Sequence, residues 1–119
     1  MTLFTILLLA GAELAGTYGV CLHYSPDQPP SSTVLVLHEP LTSGETISGS
    51  FYGTVFKEAR FSTNGGTPVF FAVTEDGSGE YFHTGRWADG EFRGQTYSRG
   101  REFLMPWTAY PDEDACPQP

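Results

Sequence analysis

Glycine-rich turns divide the chain between Gly16 and Tyr110 into eight short segments that are apolar or alternate between apolar and polar residues. The turns lie at Ser43-Gly44, Gly53, Asn64-Gly65-Gly66, Asp76-Gly77-Ser78-Gly79, Asp89-Gly90 and Arg99-Gly100. Short segments that are separated by turn residues at regular spacing are typical of an antiparallel meander. Eight such strands are enough to close a small barrel. The sequence therefore predicts an all-β fold, an eight-stranded antiparallel up-and-down β-barrel.

The predicted strands cover residues 17–24, 33–39, 46–52, 54–62, 67–74, 80–87, 91–98 and 102–110. Proline and glycine residues inside these strands predict local irregularities. Pro106 falls inside the last of them, where we expect a bulge or a missing hydrogen-bond partner because proline has no N–H. Gly49, Gly85 and Gly94 lie inside strands, where glycine relieves crowding at a bend or admits a ligand.

Composition limits the class of function. The chain has 119 residues, which suits one domain, and we expect that domain to cover residues 13–119. Nine Phe, six Tyr and two Trp supply the flat rings that a β core uses. The net charge of −8 is opposite in sign to what a nucleic-acid-binding face needs, so we expect no nucleic-acid partner. The scattered acidic residues indicate either a solvated surface or a face for a basic partner.

The N-terminus has two interpretations. Residues 3–10 form an apolar run, and Ala10-Gly11-Ala12 follows as a small-residue cleavage pattern. This arrangement is typical of a secretory signal peptide and predicts a secreted or periplasmic protein. The run is too short to span a bilayer, so we expect no membrane span. In the alternative interpretation, residues 1–12 form an arm that packs on the barrel or plugs it.

The two cysteines lie near the ends of the predicted barrel. Cys21 falls in the first strand, and Cys116 follows the last one. Closure of a barrel places its first and last strands side by side, so a Cys21–Cys116 disulfide is geometrically natural. The alternative is a pair of unrelated buried thiols.

A resemblance to a known group of barrels rests on three places in the chain. Gly16-Thr17-Tyr18 opens the first strand after a short lead-in, Thr46-Ile47-Ser48-Gly49-Ser50-Phe51-Tyr52 follows after a loop, and Arg99 or Arg101 precedes the last strand. This arrangement resembles the calycins, the group of lipocalins and avidins. Their first strand carries Gly-x-Trp, and a late Arg or Lys packs across that ring; here Tyr18 stands in the Trp position. The resemblance implies a barrel that binds a small molecule in its interior.

Two further resemblances bear on compartment and partner. The segments at 94–104 and 107–109 resemble the end of small exported bacterial proteins of unassigned function, which implies export and a barrel fold. The lead-in at residues 7–18 is similar to the arm and first strand of secreted bacterial metalloprotease inhibitors, although the cysteines are placed differently. In those barrels a free N-terminal arm enters the protease cleft. This second resemblance implies an alternative function, inhibition of a protein partner.

The aromatic residues are the main candidates for a binding site. Small-molecule sites are concave and mainly apolar, with a few polar groups. The candidate ligand-binding residues for an apolar or aromatic small molecule are Tyr18, Tyr52, Phe70, Tyr81, His83, Phe92, Phe103 and Trp107. In the alternative interpretation these rings fill the barrel, because eight-stranded barrels can be solid. Four arginines are expected to pair with acidic residues across strands, and one of them to stack on an aromatic ring: Arg60, Arg86, Arg93 and Arg101.

No pattern predicts a catalytic residue, a metal or a cofactor. His23, His38 and His83 would meet inside the barrel if their faces point inward, but no two of them have a short ligand spacing. There is no nucleophile elbow and no phosphate loop. A barrel enzyme of the cyclase or isomerase type stays open. Its sign would be a His or Glu with a strongly shifted pKa inside a pocket.

Overall fold

A short 3-10 helix at Ala12–Leu14 leads into one antiparallel sheet, in a computed structural model that describes residues 12–114 and residue 116. The strands are β1 (Gly16–Leu22), β2 (Ser31–Leu37), β3 (Gly49–Phe51), β4 (Thr54–Val55), β5 (Glu58–Ser62), β6 (Val69–Asp76), β7 (Gly79–Ala88), β8 (Glu91–Ser98) and β9 (Phe103–Tyr110). Their order is β4-β3-β2-β1-β9-β8-β7-β6-β5. The described residues contain no α-helix, so the all-β prediction is confirmed.

Hydrogen bonds continue from β5, at one end of this strand order, to the segment that precedes β3. Gly44 N donates to the carbonyl of Phe61 at 2.8 Å, and Ile47 N donates to that of Ala59 at 3.1 Å. These bonds connect β5 to the chain segment that runs into β3. The sheet therefore curls back toward its other end, which is consistent with the predicted antiparallel barrel.

The strands number nine rather than eight because the predicted strand at 54–62 is interrupted. β4 pairs with β3, whereas β5 pairs with β6. Phe56 N donates to the carbonyl of Gly49 at 2.9 Å, and Lys57 N donates to that of Val73 at 2.8 Å. The chain thus changes its partner between two consecutive residues. β4 and β5 together take the place of the fourth predicted strand.

The first and last strands are neighbours, and the C-terminal segment crosses the outer face of β1. Gly19 of β1 lies opposite Tyr110 of β9. A Cβ on Gly19 would lie 2.3 Å from the carbonyl oxygen of Glu113, so only glycine admits the segment this closely. Cys21 forms a disulfide with Cys116, with a Cα–Cα distance of 5.3 Å. The predicted disulfide is confirmed.

Pro106 produces no bulge. The β8–β9 register is continuous along both strands, with Pro106 opposite Gln95. On its other side the Pro106 carbonyl accepts a hydrogen bond from His23 N at 3.0 Å, one residue beyond the end of β1 at Leu22. The missing N–H therefore falls where the β1–β9 ladder ends. Of the two expected outcomes, the missing partner is correct and the bulge is wrong.

Aromatic rings pack together at one end of the barrel, around Tyr18, Phe70 and Phe92. We call this end the filled end. The Tyr18 hydroxyl donates to the carbonyl of Leu14 at 2.6 Å, and burial raises the pKa of Tyr18 to about 12. The Tyr18 ring packs edge-on against Phe92 and Trp87, with centroid distances of 5.3 and 6.5 Å. Phe70 packs edge-on against Phe92 at 5.2 Å. These rings fill the interior, as the alternative interpretation of the aromatic residues predicts.

Two glycines make room for core rings. Gly85 of β7 lies opposite Gly94 of β8. A Cβ on Gly85 would lie 2.4 Å from the Phe70 ring, and one on Gly94 would lie 2.4 Å from the Trp107 ring. Real Cβ atoms do not approach other atoms this closely. These strand glycines therefore relieve crowding by the core.

Between residues 12 and 114, no helix has the length and apolar character needed to cross a bilayer. The interpretation of residues 1–12 as a signal peptide or an arm falls almost entirely outside the described residues.

Candidate ligand-binding cavity

A cavity of about 120 Å³ lies at the end of the barrel where β1 ends, away from the filled end. Its wall is apolar and includes Leu22, Phe51, Phe103 and Met105. Its polar lining is formed by Thr74, His83 and Thr96, and other polar or aromatic residues complete it: Tyr24, Tyr52, Thr54, Asp76, Tyr81 and Arg101. Tyr24, Tyr52, Asp76 and Arg101 are exposed, which places them at the mouth.

His83 is the buried polar centre of this cavity. Its Nδ1 lies 2.7 Å from Thr96 Oγ1, and its Nε2 lies 2.9 Å from Thr74 Oγ1. Trp107 Nε1 donates to Thr96 Oγ1 at 2.9 Å. The described residues leave no buried side-chain N or O atom without a hydrogen-bond partner, so this network is satisfied.

One tautomer of His83 fits this network as follows. The Trp107 indole can only donate, so Thr96 accepts from it and can donate its own proton to His83 Nδ1. A neutral imidazole then carries its hydrogen on Nε2, which donates to Thr74 Oγ1. The hydroxyl proton of Thr74 is left for a further acceptor. Because Thr74 lines the cavity, a ligand atom can take that proton.

Burial sets the charge of His83. The ring is 2% exposed, and this burial lowers the pKa of His83 from 6.5 to about 4. The ring also stacks on Phe51, with a centroid distance of 4.3 Å and an interplanar angle of 26°. His83 is therefore neutral at pH 7, and the cavity presents it as a hydrogen-bonding group and not as a charge.

A polar corner stands at the mouth of the cavity. Ser78 donates to Asp76 Oδ1 through its hydroxyl at 2.7 Å and its N–H at 2.8 Å, and these two bonds lower the pKa of Asp76. Since Ser78 gives its hydroxyl proton to Asp76, the Tyr81 hydroxyl donates to Ser78 Oγ. Hydrogen bonds therefore hold Asp76 and Tyr81 in fixed positions beside the opening.

The position of the late arginine differs from what the calycin resemblance implies. An arginine across the Tyr18 ring is expected, but Tyr18 packs against Trp87 and Phe92. The Arg101 guanidinium instead lies over the Phe103 ring, 5.5 Å from its centroid. One arginine therefore stacks on an aromatic ring, as predicted. The same contact places a cation at the mouth of the cavity.

Four of the predicted ligand-binding residues line the cavity, and four do not. The lining residues are Tyr52, Tyr81, His83 and Phe103. The others belong to the packed core: Tyr18, Phe70, Phe92 and Trp107. Trp107 lies between the two regions, because its ring packs near both Phe51 and Phe70, at 5.2 and 6.3 Å. It separates the cavity from the filled end.

Sequence reasoning missed the two threonines that hold His83. Thr74 continues the inward face of β6 after Phe70 and Ala72, and Thr96 shares its face with Phe92. A polar residue on an otherwise apolar inward face was the available signal. Its meaning depends on the strand register, which places Thr96 directly opposite His83.

The other histidines do not join His83. His23 and His38 are both exposed. Within the part of the chain that the structure describes, no group of three His, Cys, Asp or Glu side chains could hold a metal ion. The hypothetical meeting of the three imidazoles inside the barrel is therefore wrong.

Lowering the pH from 7.5 to 4.5 is expected to destabilise the fold through His83. An unfolded histidine titrates near 6.5, whereas native His83 titrates near 4. Below pH 6.5 the unfolded state therefore binds a proton that the native state does not. The contribution of His83 to the free energy of unfolding is therefore complete above pH 6.5 and is lost as the pH falls toward 4. The expected contribution is about 2 to 3 kcal/mol of unfolding free energy, measured by urea denaturation at both pH values.

The carboxylates also titrate over this range, so the test compares variants. His83→Gln should lose the His83 part of the pH dependence, whereas His38→Gln, a change at an exposed ring, should keep it. Equal pH dependence in the wild type and His83→Gln would contradict the assignment of a neutral buried imidazole.

Comparison with known proteins adds no functional assignment. No family model, no curated protein and no solved structure matches the chain. The resemblances to calycins and to metalloprotease inhibitors therefore stay predictions, and the evidence for function is the geometry of the cavity.

Proposed function

We propose that this protein binds a small aromatic or apolar molecule in the cavity beside His83, in the manner of a calycin-like barrel. One observation carries the proposal. A cavity with an apolar wall and a hydrogen-bonded polar network lies at the end of the barrel away from the packed rings of Tyr18 and Phe92. Natural small-molecule sites combine apolar walls with a few placed polar groups, and this cavity has both.

The volume limits the ligand to about one ring. An apolar cavity of about 150 Å³ in another protein binds benzene. Drug-sized ligands need about 300 to 1,000 Å³. The cavity of about 120 Å³ therefore suits a ring of the size of phenol. A larger ligand would insert one ring and leave the rest between Tyr24, Tyr52 and Arg101.

The polar network orients such a ring. A ligand oxygen near Thr74 would accept the hydroxyl proton that His83 leaves unused. The ring would then lie between Phe51, Phe103 and Met105, which form the apolar wall. The expected complex has its polar atom toward Thr74 and its apolar edge toward Met105.

A second candidate function, a cyclase or isomerase, has one observation in its favour. The strongly lowered pKa of His83 inside a cavity is the sign expected for such an enzyme. However, both ring nitrogens are hydrogen-bonded to threonines, and Asp76 is held by Ser78. Neither nitrogen of His83 is therefore free to bond a substrate directly. Binding is therefore the better-supported function. The inhibitor alternative depends on an N-terminal arm and stays a prediction.

We also propose that the protein acts outside the cytoplasm, as a secreted or periplasmic protein. The Cys21–Cys116 disulfide supports this location, because disulfides persist in oxidising compartments. The apolar run at residues 3–10 and the cleavage pattern that follows it point the same way.

Phenol is expected to bind with a dissociation constant below about 1 mM, measured by isothermal titration calorimetry. Thr74→Val keeps the shape of the side chain but removes the hydroxyl, so it should weaken binding about 2- to 10-fold. The matched control is Thr84→Val on the outer face of β7, which should leave the affinity unchanged. Failure of phenol to bind the wild type, or equal losses in both variants, would refute the proposed site.

A further inference from the structure

The outer face of β7 and β8 carries three consecutive cross-strand layers. The pairs, in order along the strands, are Phe82–Tyr97, Thr84–Gln95 and Arg86–Arg93. The rings of the first pair stack, with a centroid distance of 6.3 Å and an interplanar angle of 25°. Successive layers are about 6.7 Å apart, because each layer lies two residues further along the strand. Rings, hydrogen-bonding groups and cations therefore stand side by side on one surface.

In the arginine layer both neighbouring carboxylates pair with Arg93, and Arg86 has no ion-pair partner among the described residues. Like charges directly opposite each other destabilise a sheet. Arg93 pairs with Glu91 at 2.9 Å and with Asp89 at 3.1 Å, both in its own hairpin. Within residues 12–114 and 116, Arg86 forms no ion pair. The expected cross-strand ion pairs of these two arginines are thus not formed.

A like-charge pair elsewhere on the sheet is bridged by one counterion. Glu75 of β6 lies opposite Glu80 of β7, and Lys57 Nζ contacts both carboxylates, at 2.9 and 2.7 Å. The two acidic groups thus share one cation, and both contacts raise the pKa of Lys57. In the described part of the chain no carboxylate bridges Arg86 and Arg93 in this way. An anion from outside the molecule would pair with Arg86.

A groove extends from this surface toward β5. Its volume is about 560 Å³, within the range of small-molecule sites. Its lining includes Arg60, Val69, Phe71, Thr84, Arg86 and Gln95. We call it the arginine groove, because Arg60, Arg86 and Arg93 border it and the whole chain has only six Lys and Arg residues. Phe71 stacks against Phe82 at 6.4 Å, so the aromatic layer continues into the groove.

We propose that the arginine groove binds an acidic oligosaccharide, a chain of sugar rings that bear carboxylates. Guanidinium groups match carboxylates in charge and in geometry. Thr84 and Gln95 offer donors and acceptors to sugar hydroxyls, and the exposed faces of Phe71 and Tyr97 offer apolar surface to the rings. The sequence of layers thus corresponds to the three kinds of surface on one such ligand. The site lies outside the barrel and is independent of the cavity beside His83.

The net charge of −8 does not oppose this binding at physiological salt. Exposed charges more than about 8 Å apart are largely screened under these conditions, so the local arginines dominate. An acidic peptide would also satisfy the arginines. It would lack the hydroxyl-bearing rings that the Thr84–Gln95 and Phe82–Tyr97 layers suit, so we expect it to bind more weakly.

The test titrates the full chain with hexagalacturonate at 0.15 M salt and follows binding by calorimetry. Arg86→Gln should weaken binding about tenfold, the loss expected for one charged hydrogen bond. Because Arg86 faces a like charge, this variant should fold at least as stably as the wild type. Tyr97→Ser should weaken binding as well, through loss of the ring surface. The matched control is Arg99→Gln, in the turn after β8, which should bind like the wild type.

Two further probes separate the chemical classes. The neutral hexasaccharide maltohexaose and the peptide hexaglutamate should both bind at least tenfold more weakly than hexagalacturonate. Hexaglutamate binding as tightly as hexagalacturonate would overturn the saccharide in favour of an acidic peptide. Absence of hexagalacturonate binding, or equal losses in Arg86→Gln and Arg99→Gln, would overturn the site itself.

Discussion

Reduction of the Cys21–Cys116 disulfide is expected to lower the free energy of unfolding by about 4 kcal/mol, because the bond closes a loop that contains most of the chain. The two cysteines are 95 residues apart in sequence. In the chain-entropy description a cross-link over a loop of about 100 residues removes about 4.7 kcal/mol of unfolded-state entropy. The bond also fastens the C-terminal segment to the outer face of β1, beside the β1–β9 ladder.

Urea denaturation of the oxidised and the reduced wild type measures this effect directly, since both forms keep every side chain. The double variant Cys21→Ala, Cys116→Ala should resemble the reduced protein and should not respond to reductant. Equal stability of the oxidised and reduced wild type would show that the bond does not constrain the unfolded chain.

Trp107→Ala is expected to lower the free energy of unfolding by about 3 to 5 kcal/mol, the usual cost of removing a large buried ring. The Trp107 side chain is 2% exposed and packs near Phe51 and Phe70. It also occupies the space above Gly94 and donates to Thr96. Its removal would therefore empty the middle of the barrel and leave one end of the His83 network without a donor.

Leu104→Ala provides the matched control for this change. Leu104 lies on the same strand as Trp107, but its side chain is 60% exposed on the outer face. Its truncation should alter the unfolding free energy by no more than about 0.5 kcal/mol. Similar losses in Trp107→Ala and Leu104→Ala would contradict the assignment of inner and outer faces on β9.

The fold was predictable because its determinants are local. Turn residues such as Gly44, Gly66 and Gly90 adopt the positive φ angles that their places between strands require. Alternation then separates inner from outer residues on most strands. The disulfide followed from the same reasoning, because closure of a barrel brings the first and last strands together. The division of the fourth predicted strand depends on a change of partner at Phe56 and Lys57, which has no local signature.

The cavity was only half predictable. Alternation shows that Tyr18 and Leu22 share the inner face of β1, but it does not show how far along the barrel each residue lies. Tyr18 consequently belongs to the filled end, while Leu22 lines the cavity. The network around His83 joins side chains of β6, β7, β8 and β9. It therefore depends on the register of three ladders, which no single segment of sequence contains.

Contacts between bound phenol and the cavity wall test the central claim most directly. Nuclear Overhauser effects measured in solution report which methyl groups lie beside the ligand protons. We predict effects from phenol to the Met105 methyl group and the Thr74 methyl group, and none to the Ala109 methyl group in the packed core. Effects to Ala109 without effects to Met105 would contradict a binding cavity beside His83. Phenol binding without effects to Met105 and Thr74 would contradict it as well.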